Sequence, residues 1–375
     1  MPSLYVHVPF CVRKCAYCAF YSVPLKNSKV QDYLKGLKKE IDLRKKDASE
    51  GVSSLFVGGG TPTALAEEEL EALFALLKQG FDIPEAVEQT IEGNPGTLTR
   101  EKLQILRRAG INRISLGVQS FDDSLLRQIG RIHTVQDVRE GVHLIREAGF
   151  RNLNLDLMFG LPGQTLGAWQ DTLKKAVQLG PEHLSIYGLM VEEDTPLAQS
   201  SKLLTLLPDD DDQAEMYDWT REYLRESGYL HYETSNFARP GFECQHNLGY
   251  WQGEDYLGLG PGAVGCVQNV RSKNLEDIDR YLMNLEQNGL PLEPTDVEDL
   301  SEQERMAERM ILGLRLSQGV NLASFKQEFG LDIRDIYRSV LERYLTTKVL
   351  ILDEKTLKLN PDFWFVANGV LQEFV

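Results

Sequence analysis

From Leu4 to Leu189 the chain alternates short β-rich runs with segments of helical period, and this alternation restricts the fold more than any other feature. Strand-like runs fall at Leu4–Val8, Ser54–Val57, Val87–Glu92, Arg113–Val118, Asn152–Met158 and His183–Leu189. Between them lie Val30–Lys45, with Leu34, Leu37 and Ile41 three and four residues apart, and Glu67–Lys78, Thr99–Ala109, Thr134–Ala148 and Thr165–Leu179. Gly110 and Gly149, each following an alanine, predict left-handed helix ends. Such strand–helix units pack as a parallel sheet with right-handed crossovers, so the expected class is α/β: an open doubly wound sheet or an incomplete barrel. In both architectures the C-terminal strand ends form the functional rim.

Beyond Leu189 the pattern changes. The acidic run Asp209–Asp212 opens a helix over Gln213–Ser227, where negative charge suits a helix N-terminus. Residues 228–274 are rich in glycine, aromatic and polar residues and lack clean periodicity. Helical patterns return at Leu275–Asn288, Glu302–Leu316, Asn321–Phe329 and Ile333–Tyr344, and Val349–Leu352 with Thr356–Leu359 predicts a hairpin across Asp353-Glu354-Lys355. Helices with a small β wing resemble a winged helix. The expected division is 1–230, a linking segment 231–274, and a helical C-terminal domain 275–375 that packs or closes over the first. A length of 375 residues agrees with about two domains, or one barrel with an appendage. The formal net charge of −16 disfavours nucleic-acid binding and electrostatic docking on an anionic membrane. No apolar run approaches the roughly 20 residues of a membrane-spanning helix. Met1-Pro2-Ser3-Leu4-Tyr5 has neither a basic nor an apolar signal region, which makes the cytoplasm the default compartment.

The five cysteines are Cys11, Cys15, Cys18, Cys244 and Cys266. Three of them form C-x3-C-x2-C, which is a poor disulfide framework and a good metal or cluster framework. Three thiolates so close in sequence can grip one face of a [4Fe–4S] cubane and leave one iron open to an exogenous ligand. The alternative is a zinc site completed by Cys244, Cys266 or His7. Gly58-Gly59-Gly60-Thr61-Pro62 follows the second strand without the Gly-Lys-Ser/Thr of a phosphate loop. Adjacent glycines at a strand end open the backbone to close approach by a ligand such as an ammonium group. Glu92, Gln119 and Asp156 lie in or at the ends of three further strands, and Arg131 on the loop after Phe121–Ile129. Polar residues in apolar strands need partners when buried. Converging at one rim, these could hold a ribose diol, an ammonium and a carboxylate.

With Tyr5 six residues upstream, the cysteine triplet and the Gly-Gly-Thr-Pro strand end resemble the radical S-adenosylmethionine (SAM) superfamily. Leu-Tyr-Val-His-Val-Pro-Phe-Cys, Val-Gly-Gly-Gly-Thr-Pro-Thr, Leu-Gly-Val-Gln-Ser-Phe-Asp and Leu-Asp-Leu-Met-Phe-Gly-Leu-Pro-Gly-Gln-Thr resemble oxygen-independent coproporphyrinogen III oxidase and its relatives over nearly the whole chain. The resemblance implies a partial (β/α)6 barrel of TIM type followed by a helical C-terminal domain. It also implies a [4Fe–4S] cluster on Cys11, Cys15 and Cys18, whose open iron takes the amino and carboxylate groups of SAM. Gly59, Gly60 and Thr61 then receive the methionine ammonium, with Tyr5, Glu92, Gln119, Arg131 and Asp156 around the rest of the cofactor. The oxidase pattern continues with a further cysteine where this chain has Phe20. His246-Asn247-Leu248-Gly249-Tyr250-Trp251 matches H-N-x-x-Y-W. Both features are similar to the haem-chaperone branch, which implies haem binding by His246, Asn247, Tyr250 and Trp251 and delivery to acceptor haemoproteins, respiratory proteins at the membrane among them. Cys244 is a second potential iron ligand or a buried structural thiol. Decarboxylation of coproporphyrinogen III is the alternative activity.

Overall fold

The computed structural model describes all 375 residues. Six parallel strands run in chain order: β1 (Ser3–Val8), β4 (Ser54–Gly59), β5 (Glu88–Gly93), β6 (Arg113–Gln119), β7 (Asn152–Phe159) and β8 (His183–Gly188). Two two-residue strands, β2 (Phe10–Cys11) and β3 (Val23–Pro24), pair with each other and brace the loop after β1. The crossovers are α1 (Asn27–Arg44), α2 (Glu67–Gly80), α3 (Arg100–Ala109), α4 (Asp123–Gln128) with α5 (Val135–Glu147), and α6 (Leu166–Gln178). Local chemistry explains their ends. Thr99, Thr134 and Thr165 accept from backbone N–H groups three residues on, and Gly110 closes α3 in the left-handed region at φ 96°. Val30, Leu34, Leu37 and Ile41 face the sheet from α1, as their spacing requires.

The six strands form an unclosed barrel, and the sheet continues at both edges. Past β8 come β10 (Asn236–Ala238) and β9 (Leu230–Glu233), both antiparallel. On the other edge β11 (Tyr256–Leu259) adds a parallel strand beside β1, followed by antiparallel β12 (Val264–Val267), β13 (Val270–Asn274) and β14 (Leu292–Asp299). The sheet therefore runs past both boundaries drawn from the sequence. Residues 231–274 are built into it rather than linking separate bodies, and β14 extends it beyond residue 275. One hydrophobic cluster of 67 buried residues reaches from Leu4 to Phe374, so the C-terminal region shares its core with the barrel. That region carries the expected hairpin, β16 (Leu350–Leu352) with β17 (Thr356–Leu359), and a third strand, β15 (Val320–Asn321), completes the wing. The tail 361–374, unread in the sequence, turns back in short helical segments that bury Trp364 and Phe374. No helix is long and apolar enough to cross a membrane.

Candidate functional site

The C-terminal strand ends gather most of the polar residues singled out above. Cys11 lies on β2, with Cys15 and Cys18 on the loop that follows; all three thiols are free and partly exposed. The loop is tied to the barrel by Ala16 N–H donating to Ile129 O (3.0 Å), and its own base is closed by Leu25 N–H donating to Cys11 O (3.0 Å). Thr61 Oγ1 lies 3.7 Å from Cys11 Sγ and accepts from Asn94 Nδ2 at 2.8 Å. Arg131 joins the same network: its guanidinium donates to Cys15 Sγ (3.5 Å), to Asn94 Oδ1 (2.5 Å) and to Gly117 O. Glu92 accepts from Gly59 N–H at 3.0 Å. Asp156 accepts from Asn154 Nδ2 (2.7 Å) and Ser115 Oγ (3.1 Å). Gln119 ends β6 at φ 65°, a conformation non-glycine residues rarely adopt, beside a bulge in the β6–β7 register. Tyr5 points into the barrel, its hydroxyl 3.0 Å from His7 Nδ1.

The glycines have a packing reason beyond ligand access. A Cβ on Gly59 would stand 2.6 Å from the His7 ring, and one on Gly60 would stand 2.6 Å from Phe10 O. The strand end is thus pressed against the segment that carries Cys11. The zinc alternative finds no ligand set: no three His, Cys, Asp or Glu side chains converge on one point. His7 spends both nitrogens on Tyr5 and Tyr21 O, while Cys244 and Cys266 lie beside the N-terminal strand ends. A cubane spreads its thiolates over separate iron corners and needs no single point of convergence. The burial of Cys18 next to Cys15 and Cys11 raises its thiol above the usual range, a penalty that a bound cationic cluster removes. The three thiols on one loop, with Arg131 as an N–H donor to sulfur, therefore fit an iron–sulfur cluster.

Rim electrostatics follow from burial. Glu92 is pushed up to about 8, first by desolvation and then by Asp156, against the opposing Gly59 bond. Asp156 is likewise raised by desolvation, partly offset by its Asn154 and Ser115 bonds. A carboxyl whose folded value exceeds its unfolded value binds its proton better in the folded chain. Glu92 therefore contributes stability that is complete below pH ~4.5 and declines as pH rises toward about 8. Glu92→Gln is expected to flatten that decline in the ligand-free protein. Thermal midpoints of both proteins between pH 5 and 8 check it, and an unchanged difference across the range would contradict the assignment.

The H-N-x-x-Y-W residues are elsewhere. They form the short helix α9 (Gln245–Trp251), which packs across the N-terminal ends of the strands (the intervening α7 is Ser201–Leu204 and α8 is Asp210–Glu226). His246 Nδ1 lies 2.9 Å from Oγ of Ser54, the first residue of β4, and the His246 backbone N–H donates to Glu88, the first residue of β5. Five strand steps separate this end from Gly59, roughly 17 Å at 3.3 Å per residue. The His246 ring rests on Phe56 at 5.1 Å between centroids. Burial, with Arg113 as the second cause, pulls it down to about 4, so it is neutral at pH 7. With Nδ1 bound to Ser54, Nε2 has no protein partner. Cys244 Sγ donates to Glu88 Oε1 at 3.2 Å, and burial pushes this thiol up to about 12, making it a neutral structural group and not a thiolate ligand.

A cavity of about 770 Å³ occupies the open seam of the barrel, between β1 with β11–β13 on one side and β8–β10 on the other. Ser3, Tyr5 and His7 line it along β1, Ala19 and Phe20 from the cysteine loop, and His246, Asn247, Tyr250 and Trp251 from α9. Ligand pockets span about 300–1,000 Å³. Trp251 Nε1 and Asn236 Oδ1 on its wall are buried without partners, each a cost of about 1–3 kcal/mol unless something binds there.

Residues 5–176 match the radical SAM superfamily model, and residues 300–366 match that of the HemN C-terminal domain. The chain is 37% identical over 383 residues to heme chaperone HemW of Bacillus subtilis, covering 100% of this chain and 99% of that protein. It is 34% identical to heme chaperone HemW of Lactococcus lactis, covering 100% and 97%. The chain belongs to the HemW family of the radical SAM superfamily. The family's fold is shared with a solved structure, coproporphyrinogen III oxidase (HemN) from Escherichia coli, at a TM-score of 0.89 and 26% identity over 100% of this chain and 90% of that one.

For a HemW-family chain, the rim thus brings together Cys11, Cys15, Gly59, Gly60, Thr61, Glu92, Arg131 and Asp156, and sets His246, Asn247, Tyr250 and Trp251 apart from them along the seam. Sequence reasoning missed Asn94, which bridges Thr61 to Arg131, and the pair Ser115 and Asn154, which holds Asp156. Asn94 in Gly93-Asn94-Pro95 carried the one available signal, a turn residue directly after a strand end.

Proposed function

We propose that this chain is a haem chaperone: it binds haem as cargo in the seam cavity with His246 as an axial ligand, and delivers it to acceptor haemoproteins. The observation that carries this reading is the neutral His246 imidazole, oriented by Ser54 at Nδ1 with Nε2 left without a protein partner on the wall of an aromatic-lined cavity. Tyr250 and Trp251 supply faces on which a macrocycle packs. Cys11, Cys15 and Cys18 would hold a [4Fe–4S] cluster, and the rim residues would hold SAM, with Thr61 and Arg131 next to the thiolates and Glu92 and Asp156 on the polar side. When bound and reduced by an external donor, such a cluster would supply one-electron reducing chemistry toward the sulfonium cofactor. The chain's own part is to bind and orient both groups and to exclude water with Tyr5 and Tyr21 on the cavity wall and with Tyr17, partly buried beside Cys15, Cys18 and Arg131. The proposed compartment is the cytoplasm, and the proposed acceptors include respiratory haemoproteins at the membrane; nucleic acid is not among the partners.

His246→Ala is expected to shift the Soret band of haem-loaded protein and weaken haem retention by about tenfold or more, measured by titration and by transfer to apomyoglobin. An unaltered spectrum and affinity would remove His246 from the site.

The second reading, oxidative decarboxylation of coproporphyrinogen III, is favoured by the likeness to the coproporphyrinogen III oxidase structure. Phe20, 70% exposed at the cavity lip, stands where that pattern has a cysteine and argues for the chaperone. Anaerobic incubation of reconstituted protein with SAM, reductant and coproporphyrinogen III is expected to leave the substrate intact; protoporphyrinogen IX as product would favour the oxidase.

A further inference from the structure

The seam cavity holds a cation that no carboxylate of the chain pairs with. Arg315, just beyond the helix Glu302–Gly313, lines the cavity from the C-terminal region; its guanidinium lies over the Trp251 ring at 5.5 Å, and its side-chain hydrogen bond goes to Asn368 Oδ1 at 3.2 Å. Beside it, Trp251 Nε1–H is a buried donor with nothing to donate to. A guanidinium and an indole N–H on one cavity wall ask for the same thing, an anionic acceptor. Glu233 is the acid on the cavity wall that feels the Arg315 charge, but the Asn236 amide and Ser235 N–H already bind it. Burial raises its carboxyl to about 7 against the opposing Asn236 and Ser235 bonds and the Arg315 charge. Lys273, on the opposite wall, is paired with Glu276 at 2.7 Å and is not available in the same way.

We propose that Arg315 and Trp251 Nε1 form a carboxylate-anchoring subsite, and that it seats a propionate of the porphyrin cargo. This rests on the haem reading above and adds an orientation to it. His246 and Trp251 are five residues apart on α9, about 7.5 Å along a helix, a separation suited to holding the central iron with one residue and a peripheral carboxylate with the other. The C-terminal region then contributes a ligand contact to the cavity as well as shared core.

The test compares ferric haem with its dimethyl ester, which keeps the macrocycle and iron but removes both carboxylates. By Soret titration the wild-type protein is expected to bind haem about tenfold or more tighter than the ester, the scale of a lost charge-assisted hydrogen bond. Arg315→Gln is expected to abolish that preference while leaving ester affinity within about twofold, which also shows that the variant is folded. Trp251→Phe, which removes the N–H and keeps an aromatic face, is expected to reduce the preference. Equal binding of both ligands by wild-type protein, or a preference that survives Arg315→Gln, would overturn the subsite while leaving haem binding intact. Failure to bind either porphyrin would overturn the haem reading itself and the subsite with it. SAM affinity is expected to be unchanged in Arg315→Gln; its loss would assign the subsite to the methionine carboxylate and overturn the propionate assignment.

Discussion

Alanine in place of Cys11, Cys15 or Cys18, one at a time, is expected to abolish the visible iron–sulfur absorption of anaerobically reconstituted protein and to reduce bound iron and sulfide to background. The effect is large because no thiol can substitute. Cys244 is bonded to Glu88 and Cys266 sits on β12, both by the strand N-termini and a strand length from the loop. The fold is expected to survive, since the three side chains are partly exposed and the loop is held by backbone bonds from Ala16 and Leu25. Iron and sulfide analysis with far-ultraviolet circular dichroism separates the two effects. A single variant that keeps a full complement of iron would contradict the assignment.

Gly60→Ala is the second large expectation. Gly60 N–H donates to Val8 O at 2.9 Å, Thr61 N–H donates to Phe10 O at 2.8 Å, and an added methyl would meet the Phe10 backbone at 2.6 Å. Backbone cannot swing aside as a flexible side chain can, so the clash must separate β4 from the segment entering Cys11. A loss of about 1–3 kcal/mol is expected, together with poor cluster retention. Gly369→Ala is the control: nothing lies within 4 Å of its Cβ, and it sits inside the short helix Ala367–Leu371, so the change is expected to be neutral or stabilising by up to about 1 kcal/mol. Chemical denaturation of both variants measures the contrast, and equal stabilities would show that the strand end yields more than its packing implies.

The barrel strands were legible because parallel strands buried on both faces read as apolar runs closed by turn residues. Each of the six lies within one or two residues of its expected span, and Gly110 and Gly149 take the positive φ their position after a helix requires. The seam strands were not legible. Leu292–Asp299 is mostly exposed and contains Pro294, and it holds its place by backbone pairing with β13, so its side chains carry no alternation to read. Tyr256–Leu259 is four residues long and includes Gly258, where a Cβ would meet Val264 O at 2.2 Å. At the site, Glu92, Asp156 and Arg131 stood out as charged groups in or beside apolar strands, whereas Asn94 looks like an ordinary turn residue, and Ser115 and Asn154 like ordinary small polar strand residues, until their partners are seen. Sequence spacing was silent on which end of the barrel receives His246: that depends on how α9 crosses Ser54 and Glu88, contacts between residues more than a hundred positions apart.

The cysteine loop is expected to hold a cubane with one iron left open for SAM. Mössbauer spectroscopy of protein reconstituted with isotopically enriched iron, recorded before and after SAM is added, tests it most directly. The expected result is one iron site that is distinct from the others and whose parameters change on adding SAM; iron sites that are equivalent and unaffected by SAM would contradict it.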